Sequence, residues 1–306
     1  MSLRIGLGIG ELGGGGASVA GVVDQVRDAA RRGFTSVWMP QLFNLDALTA
    51  IAVSGAEVPG IELGTAVVPT YPRHPMALAS QALTVQSAIN NRLVLGIGLS
   101  HQIVIESMFG YSFDKPARHM AEYLSILLPL LHDGSVQFAG ETLKAAGSVS
   151  LAEATAPPVL LAALAPRMLE LAGRRADGTI TWMTGPDTVA DHIVPSITKA
   201  ASAAGRPPPR VVVGLPTCVT NDADAARQRA AKTFQIYGQL PSYRAMLDRE
   251  NADGPGAVAI VGDADSVAAQ IAHLGDVGTT DFMAAPFGSK EERDRTIDVV
   301  AAMAQG

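Results

Sequence analysis

Apolar runs recur along the chain at intervals that leave room for a helix between successive runs. They are "LRIGLGI" (3–9), "SVWMP" (36–40), "IELGTAVV" (61–68), "LVLGIGL" (93–99), "PVLLAAL" (158–164), "GTITWM" (178–183), "RVVVGLPTCVT" (210–220) and "TTDFMAAPF" (279–287). Most are continuously apolar and do not alternate, the pattern of strands buried on both faces of a parallel sheet. The intervening segments carry a helical period. In "ASVAGVVDQVRDAARRG", Val19, Val22, Val23, Val26 and Ala30 share one face, Asp24, Arg27, Asp28 and Arg31 share the other, and Gly33 is placed to stop the helix. Pro75 and Pro166 stand where a following helix begins, a position that tolerates the missing N–H.

Eight strands in βα alternation predict an α/β fold, a closed (β/α)₈ TIM barrel, as one domain over residues 1–306. The surplus over a minimal barrel falls in two places. After the fourth strand, residues 110–157 hold a helical "ARHMAEYLSILLPLLHDG" and a hairpin-like "SVQFAGETLK". After the seventh, the stretch beginning "QIYGQLPSYRAML" is long enough for extra helices.

Composition narrows the function. The chain is 48% hydrophobic and 17% charged, with a net charge of -6 and no basic cluster, which supplies no footprint for nucleic acid. The N-terminal segment fits neither a signal peptide nor a membrane-spanning helix, so no membrane partner and a cytoplasmic location are expected. The single cysteine, Cys218, sits in apolar "VVVGLPTCVT" with no cationic neighbour to lower its pKa, and reads as a buried small hydrophobe.

Gly8, Gly10 and Gly13 satisfy the dinucleotide spacing G-x-G-x-x-G after a strand. The second strand ends at Gln41 instead of the acidic residue that would hold a ribose, and eight βα units exceed what one nucleotide-binding sheet needs. A mobile loop over the barrel mouth, residues 13–16, is the alternative. At the C-terminal strand ends, where such barrels place their chemistry, no carboxylate pair, H-E-x-x-H or G-x-S-x-G motif occurs, and no metal site is expected. A mouth lined by small, mildly polar residues suits a large cofactor that carries the reaction. "ALAP" (163–166) and "MTGP" (183–186) each present backbone N–H groups at a helix start, where anions are favoured. Trp38 and Trp182 are placed either to wall a pocket or to pack in the core.

"LGTAVVPTYPRHPMALASQALTVQSAINNRLVLGIGLSH", with "KPARHMAEYLSILLPLL" and "PPVLLAALAPRMLELAGRRADGTITWMTGP", resembles the bacterial luciferase-like superfamily, and in particular its coenzyme F420-dependent oxidoreductases. The resemblance implies F420, or alternatively FMN, held at the strand ends, a small-molecule substrate, and a homodimer. It also implies a bulge after the third strand with a cis peptide at Ala66–Val67. The residues it implies for the cofactor are Gln41, Thr65, Ala66, Val67, Gly98, Leu99, Ser100, Ala163, Leu164, Ala165, Trp182, Met183, Thr184 and Gly185, with the cofactor phosphate near the 163–166 and 183–186 turns. Many relatives carry Asp-His where this chain has Gln41-Leu42, and the sugar-phosphate dehydrogenases carry Glu where this chain has His101, so sugar-phosphate oxidation is disfavoured. His101 is left as the proton donor. The resulting expectation is an F420-dependent oxidoreductase passing hydride to or from a small organic substrate. An FMN-dependent monooxygenase and a non-catalytic barrel are the alternatives.

Overall fold

The structure, a computed structural model, describes residues 3–10 and 18–305; the glycine-rich loop at 13–16, with Gly13 of the dinucleotide spacing, lies outside them. The eight predicted strands form the barrel, and their order follows the chain. The first half comprises β1 (Arg4–Gly8), α1 (Val19–Arg31), β2 (Ser36–Met39), α2 (Ala47–Glu57), β3 (Glu62–Thr65), β4 (Val68–Pro69), α3 (Pro75–Ala88) and β5 (Leu93–Gly98). The first insertion holds α4 (Gln102–Ser107), α5 (Pro116–His132) and the antiparallel hairpin β6 (Ser135–Ala139) and β7 (Lys144–Ser148). Then come β8 (Val159–Leu161), α6 (Pro166–Arg175), β9 (Gly178–Trp182), α7 (Pro186–Thr188), a π-helical turn (Val189–Ile193), α8 (Val194–Ala203) and β10 (Arg210–Val219). The second insertion supplies α9 (Ala223–Thr233), a 3₁₀ turn (Gln235–Gly238), α10 (Pro241–Arg249) and β11 (Ile260–Gly262), followed by α11 (Ala264–Asp276), β12 (Asp281–Pro286) and α12 (Lys290–Gln305).

The sheet closes because β10 is long enough to serve three neighbours. It pairs with β9 from Arg210 to Gly214, with β12 from Val212 to Thr217, and with β11 from Thr217 to Val219, all in parallel. The circuit runs β10-β12-β1-β2-β3-β5-β8-β9 and back to β10. β11 lies outside that circuit and was not among the predicted strands; its short "AIVG" run stands inside a segment whose length suggested only helices.

Helices cover the barrel as the periodicity predicted. On α1, Val22, Val23, Val26 and Ala29 are buried, whereas Val19 is exposed, because Ser18 caps the Gly21 N–H at 3.1 Å and the first turn points outward. Gly33 has φ +83° and ends the helix. Pro75 and Pro166 each occupy the first helical position.

Inside the barrel, Trp38, Val94, Leu160, Ile180, Val212 and Met283 form a separate apolar cluster drawn from six strands. Trp38 is fully buried and its ring occupies the space a side chain at Gly64 would need, so it is core and not pocket wall. Below it, Arg210 lies 5.3 Å from the Trp38 ring and bonds Asp281 and Glu62 at 2.6 Å each, and Arg4 joins Glu62 at 3.1 Å. This network plugs the N-terminal end, leaving the C-terminal end for chemistry.

Helix α5 carries two polar anchors among its apolar residues. The Glu122 carboxylate accepts hydrogen bonds from the Glu141, Thr142 and Leu143 N–H groups and the Thr142 hydroxyl, which holds the hairpin turn and, against the cost of desolvation, pulls its pKa down to about 2. His119, 6% exposed, places Nε2 3.2 Å from the Thr70 hydroxyl and stacks on Tyr71 with ring centroids 4.0 Å apart. Burial lowers its pKa to about 4, with nearby Glu122 opposing.

The folded chain therefore keeps His119 neutral where the unfolded chain protonates it, and the stability this confers is lost as pH falls below 6.5 toward about 4. Urea unfolding should show a loss of stability between pH 7 and pH 5 that is roughly 2 kcal/mol larger in the wild type than in His119→Asn. Equal losses in the two proteins would refute this.

Candidate functional site

The centre of the site is the exit of the third barrel strand. A Cβ on residue 96 would lie 2.0 Å from the Thr65 carbonyl oxygen, so the Thr65 backbone reaches β5 only because residue 96 is glycine. The buried Thr65 hydroxyl donates to the Gly96 carbonyl at 2.7 Å and locks that approach. Pairing then breaks for Ala66 and Val67, joined by a cis peptide, and resumes in β4 with Val68 opposite Ile97 and Pro69 opposite Gly98. The Ala66 N–H donates to the Met39 carbonyl at 2.8 Å. A side chain at Gly98 would meet Val67 Cγ2 at 2.7 Å and the Ala162 methyl at 3.1 Å. Thr65, Ala66, Val67 and Gly98 thus converge on one small-residue surface at the strand ends.

The next loops flank it. Leu99 and Ser100 are half-buried, Ser100 with φ +62°, and lead into His101, which caps α4 without a side-chain bond. Burial lowers the His101 pKa, so near neutral pH the ring holds no second proton. The role open to it is proton acceptor, where the sequence offered it as a donor. Gln41 is turned into its own loop: its amide nitrogen donates to the Leu42 and Leu45 carbonyls at 3.0 and 3.3 Å, and its oxygen accepts from the Ala47 N–H at 2.8 Å and from Arg73 at 3.3 Å. Arg73 is also paired with Asp46.

The two turns proposed for an anion differ sharply. At 183–186, Met183 (φ +55°) and Thr184 are buried, and the Thr184 hydroxyl donates to the Trp182 carbonyl at 3.3 Å. After Gly185, the Glu250 carboxylate accepts from the Asp187 and Thr188 N–H groups at 3.1 and 2.8 Å and lies where a Gly185 side chain would go. That helix start already holds a carboxylate, and a carboxylate there repels a second anion. At 163–166, Ala163 is buried, the Leu164 carbonyl is held 2.8 Å from His192 Nε2, and Ala165 is exposed at the start of α6 with no side-chain cap. Arg167 follows, exposed and without an ion pair among the described residues.

The second insertion adds a wall that sequence reading missed. Trp182 meets Phe234 and Tyr237 edge-on at 6.0 and 6.1 Å, Tyr237 meets Tyr243 at 5.1 Å, and Tyr243 lies 5.5 Å from His101. The available signal was the crowding of three aromatics into residues 234–243 of a chain that is only 5% aromatic. Arg167 and Glu250 gave no local signal, since their roles depend on which helix start they face. Cys218 is buried and its thiol pKa is pushed up by burial, which leaves it inert. Among the described residues no group of three His, Cys, Asp or Glu side chains could hold a metal, and no helix is long and apolar enough to cross a membrane.

The sequence profile of the luciferase-like monooxygenase family matches residues 5–281. A 5,10-methylenetetrahydromethanopterin reductase of Methanolobus tindarius is 27% identical over 295 residues, covering 87% of this chain and 90% of that one. The coenzyme F420-dependent tetrahydromethanopterin reductase of Methanopyrus kandleri superposes with a TM-score of 0.84 at 20% identity, covering 100% of this chain and 99% of that one. The oxygenating constituent of 3,6-diketocamphane monooxygenase from Pseudomonas putida, solved with FMN, has a TM-score of 0.79 at 16% identity, covering 99% and 98%.

The strand-exit geometry is testable through its two glycines. Gly96→Ala collides with backbone and should cost on the order of 3 kcal/mol in chemical denaturation, whereas Gly98→Ala meets mainly a movable Val67 methyl and should cost roughly 1 kcal/mol. Equal costs would contradict the backbone contact.

Proposed function

The chain belongs to the luciferase-like monooxygenase family, and on that premise we propose that this oxidoreductase uses coenzyme F420 to pass hydride to or from a small organic substrate. The observation that carries the proposal is the strand exit at Ala66 and Val67, where pairing with β5 breaks, Val67 packs into the space a side chain at Gly98 would need, and the lone methyl of half-buried Ala66 leaves a planar ring room to lie against the backbone. The ring end therefore fits a flavin or deazaflavin. For the phosphate end, the uncapped start of α6 with exposed Arg167 fits an anion, and the Glu250-capped start of α7 does not. Sequence likeness over 87% of the chain to a methylenetetrahydromethanopterin reductase, and fold likeness to an F420-dependent reductase, favour F420 over FMN. The FMN-bound monooxygenase of the same fold keeps FMN as the second reading.

When bound, F420 supplies a two-electron hydride transfer that no side chain here can perform. The chain's contribution is orientation and exclusion of water. Thr65, Val67 and Gly98 fix the floor through the Thr65–Gly96 bond. The aromatic side chains of the second insertion, joined to His101 through Tyr243, line the neighbouring strand ends. His101, neutral near pH 7, is placed to take the hydroxyl proton of an alcohol as its carbon loses hydride.

Titration of the purified protein with oxidised F420 and with FMN, followed by fluorescence quenching, should show micromolar binding of F420; binding of FMN alone overturns the cofactor assignment. Arg167→Glu should weaken F420 binding by about tenfold. His101→Ala should lower turnover by roughly a hundredfold with F420 affinity unchanged. Unaltered turnover removes His101 from the chemistry.

A further inference from the structure

We propose that the aromatic arc built by the second insertion is the substrate-recognition wall, and that it selects an uncharged hydrophobic alcohol, and the carbonyl compound its oxidation yields, with a ring conjugated to that carbonyl. The proposal rests on the oxidoreductase reading above and adds a substrate class to it.

The arc is continuous across four loops of the C-terminal face. It passes from His101 after β5 to Tyr243 and Tyr237 in the insertion, to Trp182 at the end of β9, to Phe234, and on to Phe287 after β12, with ring centroids 5.1 to 6.5 Å apart. Flat rings in edge-on array present faces and edges that a further ring can join with favourable quadrupole geometry. Within the arc, the buried Trp182 Nε1–H interacts with the Tyr237 hydroxyl but closes no well-formed hydrogen bond. A buried donor so weakly matched is costly, and a carbonyl oxygen brought in by a ligand would satisfy it better.

The rim repeats this preference. Phe43 (62% exposed), Ile103 (64%), Met108 (59%) and Ile236 (53%) stand on the loops that follow β2, β5 and β10. Single exposed hydrophobics are ordinary, but four on the connections of one barrel face give that face an apolar character.

The cations on these loops are committed elsewhere. Arg244, adjacent to Tyr243, bonds Asp248 at 2.8 Å and the Ala252 and Asp253 carbonyls at 2.6 and 3.0 Å. Arg73 is held by Asp46 and by Gln81 at 3.0 Å. Lys232 and Arg249 lie on exposed helix faces in solvent. A carboxylate or phosphate brought to the wall would lose hydration and gain no paired cation.

Three probes separate the terms: benzylideneacetone (neutral, ring and conjugated ketone), cinnamate (the same ring with a carboxylate) and pent-3-en-2-one (no ring). Binding to the purified protein, read from tryptophan fluorescence at neutral pH, should favour benzylideneacetone by about tenfold over each of the others. Tyr237→Ala should lose about tenfold of that affinity, and Tyr237→Phe should retain it. Ile236→Ser, at an exposed rim position that folding tolerates, should lose about threefold. Cinnamate binding as tightly as benzylideneacetone, or unchanged affinity in both Tyr237→Ala and Ile236→Ser, overturns the proposal. Parallel F420 titrations keep the two readings apart: F420 binding without discrimination among the probes defeats the wall alone, and discrimination without F420 binding defeats the cofactor reading alone.

Discussion

The backbone of Thr65 lies against β5 only because residue 96 has no side chain, and the rest of the site follows from that contact. With the Thr65 carbonyl in that place and its hydroxyl bonded to Gly96, the strand cannot continue in register through Ala66 and Val67. It steps inward and resumes pairing at Val68, and the Thr70 N–H then reaches the Gly98 carbonyl at 2.9 Å. Thr70 in turn meets His119 of the first insertion, so an accommodation at one glycine reaches through the strand exit into the helix packed outside it.

The two ends of the barrel divide the work by charge. At the N-terminal end, Arg4, Glu62, Arg210 and Asp281 form a closed ion network beneath Trp38, an arrangement in which each buried charge has a partner. At the C-terminal end, the groups beside the strand exits are small or aromatic and largely neutral. Such a surface has little proton-transfer power of its own, but it lets a planar ring approach the backbone and keeps water away from it. Luciferase-like oxidoreductases draw their chemistry from a bound redox cofactor, and this chain's poverty in acid and base groups accords with that arrangement.

The second insertion links wall and anion chemistry through one residue. Glu250, just after α10, neutralises the start of α7 and fastens the insertion that carries Tyr237 and Tyr243 across the mouth. It occupies one of two similar helix starts, and the other, beside Arg167, is uncapped. A carboxylate from a distant part of the chain thus makes two turns that look alike in sequence electrostatically different.

Local pattern alone was enough for much of this protein. Continuous apolar runs against helical periodicity determined the eight strands and their alternation, because a strand buried on both faces has no polar positions to show. Gly33, Pro75 and Pro166 marked helix ends through backbone constraints that act within a residue or two. The family resemblance added the strand exit at Ala66–Val67. What tertiary structure decided involved partners far apart in the chain. Trp38 went to the core because Gly64 left room for its ring, and Gln41 turned inward because Ala47 and Arg73 met its oxygen. β11 became a strand because the far end of β10 offered an unpaired edge. Burial set the protonation of His101 and His119, and the Glu250 carboxylate met the Asp187 and Thr188 N–H groups. Hydrogen bonds, desolvation and ring contacts depend on distance in space, and separation along the chain carries almost no record of them until the barrel has closed.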